Sequence, residues 1–566
     1  MALNWEKKAE TKRQAILDSI PQKWRLDRIP SAEEQKDVTD GYIRQFLNSK
    51  ESEITETDIG GIAKQIAAGS WTSVEVTEAF CHRASIAHQL VNCVHEFFFD
   101  AAIESAKALD AYFAKHKKPI GLLHGVPISL KDQFHVKGVE TTMGYVGWMD
   151  TFEGNKDDPR KGTFESEMVR ELRNLGAVFY CKTSCPQTLM SGETFNNIIE
   201  YTWNPKNRFL CSGGSSGGEG ALIRLKGSPG GFGTDIAGSI RMPAAFSGTY
   251  GIKPTWDRLP YRGMATSMDG QNSVLSSVGP MATTAAGAKL LVQAILSQQP
   301  WLYDPLVVDM PWRDTLEAET KELTKVASKG PLVFGVLKTD GVVNPQPPVA
   351  RAISILTAAL TKAGHKVVEW TPPANSHQAL MGVIVNTWRY DGGKNIHDAF
   401  ALSGEKIHPQ ILHLFGTSTG EQFNGTQIAE NNIEKRRLQS EYMDYWNSTI
   451  ELTGTGRPVD GFICPVAPYA AARPQKYKYY GYSAFVNVLN YTSVNVPVTL
   501  ADKNIDVYDP SYLPLNELDK ATVEDYDAEL YDGAHVGLQI IGRSYTEEKM
   551  LVIAEYVSEL LSQDDA

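Results

Sequence analysis

The chain has 566 residues, of which 42% are hydrophobic and 22% are charged, a composition typical of a globular protein with a large core. Its formal net charge of −12 argues against nucleic acid or an anionic membrane surface as a partner. No apolar run reaches the roughly 18 residues of a membrane span, and the polar N-terminal segment lacks the apolar core of a signal peptide. We therefore expect a cytoplasmic protein without a membrane span.

Residues 1–53 predict a helical arm at the N-terminus. Trp5–Ile20 is amphipathic and stops before Pro21, and Ser31 with Glu34 has the spacing of a capping box that would open a second helix. We expect this arm to pack across a main domain formed by residues 54–566. From residue 55 to residue 117 that domain begins with three predicted helices, which we interpret as scaffold.

A change of pattern after His124 predicts a short strand, Val126–Leu130, that ends at Lys131. A lone lysine usually carries a solvated surface charge, but one that follows an apolar strand can be buried. Asp132 would then be its nearby structural partner. His124 and His135, on either side of the strand, are interpreted as structural histidines.

The densest glycine stretch of the chain runs through residues 211–243. Because glycine lets the backbone come close to a ligand, this stretch predicts a binding or catalytic loop rather than a linker. A helix predicted over 219–226 would point free N–H groups at the loop, and residues 227–233 predict a second glycine turn. Four serines lie in the stretch: Ser212, Ser215, Ser216 and Ser239.

Two known loop motifs compete for these glycines. A phosphate-binding P-loop is excluded, because no lysine follows them. Residues 213–217 do satisfy Gly-x-Ser-x-Gly, the nucleophile elbow of α/β-hydrolases, with Ser215 at the apex. That elbow needs an apolar strand before it, whereas residues 204–208 are polar, and it needs a downstream histidine, for which His535 is at hand but nothing ties it to the site. The elbow is disfavoured.

Strands and helices alternate on both sides of the glycine stretch. Phe164–Gly176 predicts a helix and Ala177–Lys182 the strand after it. Leu332–Val336, Pro348–Ala363 and Val367–Trp370 repeat a strand-helix-strand order. This alternation indicates an α/β fold.

Residues 379–446 predict a mostly helical, aromatic-rich insertion. Such a segment most often forms core, and part of this one is a candidate lining of a substrate pocket. No internal repeat or linker divides the chain, so we predict a single large domain behind the arm.

Six cysteines are scattered without the spacing of a disulfide framework. Cys181 and Cys185 are spaced like half of a metal site, but no companion pair of cysteines or histidines has zinc-finger spacing. We predict no bound metal.

Four separated segments resemble the amidase signature family, which includes fatty-acid amide hydrolase and the fungal acetamidases. They are HGVPISLKD (124–132), GAVFYCKT (176–183), GGSSGGEGALI with GTDIAGSIRMPAAFSGTYGIKPT (213–255), and GLQIIG (537–542). Ser215 and Ser239 lie 24 positions apart, the spacing of the two active serines in family members of the fatty-acid amide hydrolase type. The resemblance extends from about Ile54 to Leu561.

The resemblance implies an α/β amidase-signature fold, with a central mixed, twisted β-sheet covered by helices on both faces. It implies Ser239 as the nucleophile, Ser215 as a bridging serine held by a cis peptide bond, and Lys131 as the base. Substrate-facing residues would be Met190, Ser191 and Thr234. Backbone N–H groups for the oxyanion would come from Ile236, Ala237, Gly238 and Ser239, with Ala237 standing where the family usually has glycine.

The implied chemistry is self-consistent. A serine hydroxyl attacks an amide only if a base takes its proton, and lysine can do so only when neutral. Lowering a lysine pKa from about 10.4 to about 7 needs on the order of 5 kcal/mol against the charged form, which desolvation can supply. No metal or organic cofactor is required.

We expect hydrolysis of a small or medium carboxamide, most like that of the fungal acetamidase branch, which the Ile20–Leu26 segment of the arm favours. The alternative is a subunit of a glutamine-dependent amidotransferase, which would need a heteromeric complex. The sequence leaves the acyl length, the amine preference and the choice between amide and ester open. It also leaves the oligomeric state open, a homodimer included.

Overall fold

The computed structural model describes residues 4–326 and 330–564. In this part of the chain the strands are β1 (Val94–Phe97), β2 (Pro127–Lys131), β3 (Val178–Thr183), β4 (Phe195–Asn196), β5 (Glu200–Tyr201), β6 (Gly230–Asp235), β7 (Tyr250–Lys253), β8 (Ser277–Ala282), β9 (Val333–Val336), β10 (Lys366–Glu369), β11 (Gly461–Pro465), β12 (Thr492–Leu500) and β13 (His535–Gly542). Eleven of them form one sheet in the order β1-β3-β2-β6-β8-β7-β12-β13-β11-β9-β10, and β4 and β5 form a small separate hairpin. The large sheet is mixed: β2 is parallel to β3 and β6, whereas β6 is antiparallel to β8.

Helices cover both faces of this sheet. Every residue of β2, β3, β6, β8, β11 and β13 is buried, and successive side chains of a strand point to opposite faces, so neither face is open to solvent there. The predicted α/β fold with a covered mixed sheet is confirmed. Its described helices are α1 (Trp5–Asp18), α2 (Gly41–Arg44), α3 (Ser49–Glu56), α4 (Ile59–Ala67), α5 (Ser73–Val91), α6 (Phe99–His116), α7 (Glu167–Asn174), α8 (Gly217–Arg224), α9 (Arg241–Ser247), α10 (Ala285–Leu296), α11 (Asp314–Thr324), α12 (Pro347–Lys362), α13 (Ser376–Trp388), α14 (Lys394–Ala401), α15 (Pro409–Phe415), α16 (Gly425–Ser448), α17 (Ile450–Thr453), α18 (Gly481–Val488), α19 (Glu517–Asp525), α20 (Ala528–Tyr531) and α21 (Glu547–Asp564).

The N-terminal arm packs onto the body of the protein through α1. Ile16 belongs to a small apolar cluster with Val146 and Ile199. Lys12 forms ion pairs with Glu96 and Glu140, the second at 2.9 Å. The separation of arm and main domain at residue 53 stays a prediction, and α3 runs across that position.

The second helix predicted for the arm is wrong. The capping contacts do form, since the Ser31 N–H donates to Glu34 Oε2 at 2.9 Å, but the chain makes only a turn. Shortly afterwards the Val38 N–H donates to the Pro205 carbonyl at 3.0 Å. The backbone is thus drawn onto the body before a helix can extend.

The second glycine turn predicted over 227–233 is also wrong in its last part, where Gly230–Asp235 forms strand β6. Glycine is needed there for space. A side chain at Gly231 would overlap the carboxylate of Glu219 and the backbone of Ser129 on the neighbouring strand β2. Close packing, against a buried carboxylate at Gly231 and against Ser216 at Gly233, rather than a reversal of the chain, explains these two glycines.

The insertion over 379–446 is mostly helical, as predicted, and contains most of α13 through α16. Its aromatic side chains form a second core with the end of the sheet, in which Trp370 stacks on Phe462 with ring centroids 4.4 Å apart. Trp388, at the end of α13, reaches from this core towards the site described below.

Among the described residues, no helix combines the length and the apolar character that crossing a bilayer requires.

Candidate active site

Lys131 stands at the end of β2, in the interior of the sheet. β2 pairs in parallel with β6, which carries Thr234 near its own end. The lysine is 0% exposed, and its Nζ atom lies 2.7 Å from Ser215 Oγ and 2.9 Å from Thr234 Oγ1. Both of these partners are uncharged hydroxyl groups.

Burial lowers the pKa of Lys131 to about 8, because the protein interior solvates the charged amine poorly. Asp235 and Glu219 oppose this shift through their negative charge. The expected partnership of Lys131 with Asp132 is wrong, since the Asp132 carboxylate forms an ion pair with Lys182 at 2.8 Å. In the described part of the chain no carboxylate is hydrogen-bonded to Lys131, so its neutral form is accessible near neutral pH.

Ser215 lies in a tight loop before α8. The Gly214–Ser215 peptide bond is cis, as the family resemblance implies. A side chain at Gly214 would overlap the carbonyl of Ser191, so the loop can pass there only with glycine. The Ser216 N–H donates to the carbonyl of Ser239 at 3.1 Å, which ties the two serine loops together.

Ser239 faces the same cleft as Ser215 and is 6% exposed. Its hydroxyl makes no hydrogen bond to any residue that the structure describes, including Ser215. Hydrogen bonds of this kind often tighten only when substrate binds. The two hydroxyls therefore share a cleft without a hydrogen bond between them.

Backbone N–H groups beside Ser239 are the candidate oxyanion donors. The N–H groups of Ile236, Ala237 and Ser239 have no partner among the described residues. The Gly238 N–H, in contrast, donates to Asp235 Oδ1 at 2.7 Å. Three of the four predicted donors are thus free to bind a ligand, and Gly238 is already committed.

A buried ion pair holds this loop in place. Asp235 also accepts from the Ile240 N–H at 3.1 Å and from two nitrogens of Arg241 at 3.0 and 2.9 Å. Arg241 in turn donates to Gln539 and Asn487 at 2.8 and 2.7 Å. These contacts hold the pKa of Asp235 well below its usual range, and Arg241 acts as a structural donor to the loop.

Two cavities meet at Ser239. A cleft of about 170 Å³ is lined by Ser215, Thr234 and Gln133, and it continues towards Met268 and Leu306. A second cavity of about 20 Å³ shares Met190, Ile236 and Ser239 with the cleft and has mostly apolar walls. Its lining includes Ala237, Met242, Trp388, Leu414 and Tyr480.

The three predicted substrate-facing residues all line these cavities, with different surroundings. Met190 lines both, and Ser191 lines the small one, where it also donates to Gln410 of the insertion. Thr234 lines the cleft, but its hydroxyl is held between Lys131 and Gln133. Thr234 therefore contacts the lysine as well as lining the cleft.

The other candidates lie away from the cavities. His535, the histidine available to a nucleophile elbow, packs on β13 beside Gly248. His124 accepts from the Ile120 N–H at 3.2 Å. Cys181 and Cys185 are both buried, and burial raises the pKa of each thiol.

Sequence reasoning missed two residues of the site. Gln133 directly follows the motif that ends at Asp132, and Glu219 lies inside the motif that begins at Gly213, so a polar residue in or beside a catalytic motif is the signal that could have found them. Glu219 accepts from Ser129 and from Thr183, the latter at 2.7 Å, and burial raises its pKa to about 7. Trp388 belongs to the insertion that is a candidate pocket lining, but no local signal singles it out, because only the fold brings it to the small cavity.

Comparisons with known proteins agree with this fold and site. The sequence model of the family described as Amidase matches residues 75–551. An acetamidase of Emericella nidulans is 43% identical over 561 residues, and one of Aspergillus oryzae is 44% identical over 558 residues. Each alignment covers 99% of both chains. The solved structure of a fatty acid amide hydrolase superposes with a TM-score of 0.88 at 31% identity, covering 99% of this chain and 95% of that one.

These findings define an enzyme that hydrolyses amide bonds. The chain belongs to the amidase signature family.

The lowered pKa of Lys131 predicts the pH dependence of this enzyme. If Lys131 is the base, as the family resemblance implies, only its neutral form can accept a proton, and kcat/KM for an amide should rise with pH through an apparent pKa near 8 and then stay level. Steady-state rates between pH 5.5 and 10 measure it. The His124→Gln variant should show the same rise of kcat/KM through an apparent pKa near 8. A rise through an apparent pKa near 6.5 in the wild type that is lost in this variant would instead identify a histidine as the base.

Proposed function

We propose that this enzyme hydrolyses small carboxamides, acetamide among them, to a carboxylate and ammonia or an amine. The similarity to two fungal acetamidases over nearly the whole chain supports this substrate class. One observation carries the mechanism: a buried lysine, free of any hydrogen-bonded carboxylate in the described residues, lies 2.7 Å from Ser215 in the cleft that also holds Ser239.

In the proposed reaction, Ser239 Oγ attacks the amide carbonyl carbon. Its proton passes to Ser215, whose own proton passes to the neutral amine of Lys131. For this relay the hydroxyls of Ser215 and Ser239 must turn towards each other when substrate binds.

The negative charge that develops on the carbonyl oxygen would be stabilised by the free N–H groups of Ile236, Ala237 and Ser239. One such donor is typically worth a factor of about 10²–10³ in rate. The bond between carbon and nitrogen then breaks as Lys131 returns the proton through Ser215 to the leaving nitrogen, which departs as ammonia or an amine. Water attacks the acyl-enzyme by the same relay and releases the carboxylate, so serine, lysine and backbone groups fill every role.

The two cavities suggest how the substrate is oriented. The leaving nitrogen must lie near Ser215 to receive its proton, and Ser215 lines the cleft but not the small cavity. The acyl substituent would therefore occupy the small cavity. With a volume of about 20 Å³ and mostly apolar walls, this cavity suits a small acyl substituent such as the methyl group of acetamide.

Labelling of the nucleophile tests the catalytic assignment. A fluorophosphonate probe should label the wild-type enzyme on Ser239, and Ser239→Ala should lose both labelling and amide turnover while its melting temperature changes little. Ser216→Ala, which removes a neighbouring buried hydroxyl, should still be labelled on Ser239. Labelling that persists on Ser215 in the Ser239→Ala variant would instead support the nucleophile-elbow arrangement.

The acyl-size limit is tested by enlarging the small cavity. Trp388→Leu should raise kcat/KM for hexanamide relative to acetamide by at least about tenfold, because one methylene in an apolar pocket is worth roughly 10–200-fold. Met268→Ala, which changes only the cleft, should leave that ratio unchanged. An unchanged ratio in Trp388→Leu would place the acyl group in the cleft.

The same assays separate the enzyme from an amidotransferase subunit. The purified chain alone should release ammonia from acetamide. Ammonia release only from glutamine and only with a second protein would overturn the proposal. The mass of the active species, measured in the same preparation, would show whether it is a homodimer.

A further inference from the structure

A chain of hydrogen bonds runs from the base to the backbone on the far side of the cleft. Lys131 Nζ lies 2.9 Å from Thr234 Oγ1, and Thr234 Oγ1 lies 2.7 Å from Gln133 Oε1. Gln133 Nε2 lies 2.7 Å from the Ala265 carbonyl and 2.7 Å from Tyr261 Oη. Gln133 is only 1% exposed, so water does not compete for these contacts.

The direction of every bond in this chain follows from its far end. The Ala265 carbonyl can only accept, so it must face the amide nitrogen of Gln133, which leaves the amide oxygen facing Thr234. The hydroxyl of Thr234 has one hydrogen, and that oxygen takes it. Thr234 can therefore only accept from Lys131.

This direction matters for the amine. Neutral lysine has two hydrogens and one lone pair, and only the lone pair can accept a proton. Thr234 cannot donate to that lone pair while its hydrogen is bound to Gln133. The lone pair of Lys131 is left for Ser215, whose hydroxyl lies 2.7 Å away.

We propose that Gln133 is a positioning residue, which fixes the direction of this hydrogen-bond chain so that neutral Lys131 presents its lone pair to Ser215. The inference rests on the proposed function, in which Lys131 is the base. Glutamine suits the task because it sets the direction without adding charge. A glutamate there would favour the charged form of the lysine, and an apolar residue would free the hydrogen of Thr234 to compete with Ser215.

A double-mutant cycle tests the direction of the chain. Gln133→Met should lower kcat/KM for acetamide at its alkaline plateau by 10- to 100-fold. In the Thr234→Val background, where no hydroxyl hydrogen can compete, the same substitution should cost less than threefold. Equal losses in both backgrounds would mean that Gln133 acts through packing alone, and would overturn the inference.

Gln133→Glu, which preserves shape, gives a second readout that does not depend on how well the methionine variant folds. The apparent pKa through which its kcat/KM rises should increase from about 8 by one unit or more, because the new carboxylate stabilises the charged lysine. An unchanged apparent pKa of kcat/KM in a folded, active Gln133→Glu variant would overturn the inference.

The behaviour of the wild-type enzyme separates a failure of the proposed function from a failure of the role proposed for Gln133. If the wild-type enzyme shows no labelling on Ser239 and no rise of kcat/KM through an apparent pKa near 8, the proposed function itself is wrong. If both are present but the losses in the double-mutant cycle are equal in the two backgrounds, or the apparent pKa of the Gln133→Glu variant is unchanged, only the role of Gln133 is wrong.

Discussion

The site depends on one physical constraint: the amine of Lys131 must be kept out of water without acquiring a carboxylate partner. Moving its pKa from an ordinary lysine value to about 8 corresponds to on the order of 3 kcal/mol against the charged form. A carboxylate hydrogen-bonded to Lys131 would stabilise the charged form and cancel much of that free energy. The structure avoids this by occupying each nearby carboxylate elsewhere: Asp132 pairs with Lys182, Asp235 pairs with Arg241, and Glu219 accepts from Ser129 and Thr183.

The glycine-rich stretch serves this constraint by allowing close packing. Glu219 can sit buried beneath the sheet only because β6 has no side chain at Gly231, and Ser216 can approach the same strand only because Gly233 has none. The serine loops are then fixed to each other through the Ser216 N–H and the Ser239 carbonyl. The glycines of β6 therefore let a buried carboxylate and one of the two serine loops pack closely against the strand that carries Thr234.

Much of this arrangement could be predicted from the sequence. Apolar runs located the strands that end at Lys131 and Thr183, and the separated family motifs predicted the fold and the cis bond at Ser215. The errors have physical causes. Local patterns could not show that Gly231 makes room for Glu219, that Asp132 turns to Lys182, or that the Gly238 N–H is already bound. The first two depend on contacts between residues far apart in the chain, as does the arrival of Trp388 at the small cavity. The third is a local contact, and it depends on the orientation of the Asp235 carboxylate, which Arg241 and Asn487 hold in place.

The central claim is that neutral Lys131 moves the protons of the reaction, and matched amide and ester substrates test it most directly. In Lys131→Ala, kcat/KM for the amide should fall by roughly 10²–10⁴, the range typical of general acid–base catalysis. The corresponding ester should lose less, because an alcohol leaves more readily than an amine without a well-timed proton. Lys131→Arg should not restore amide turnover, since arginine stays charged and cannot accept a proton. Near-normal amide turnover in Lys131→Ala would contradict the account.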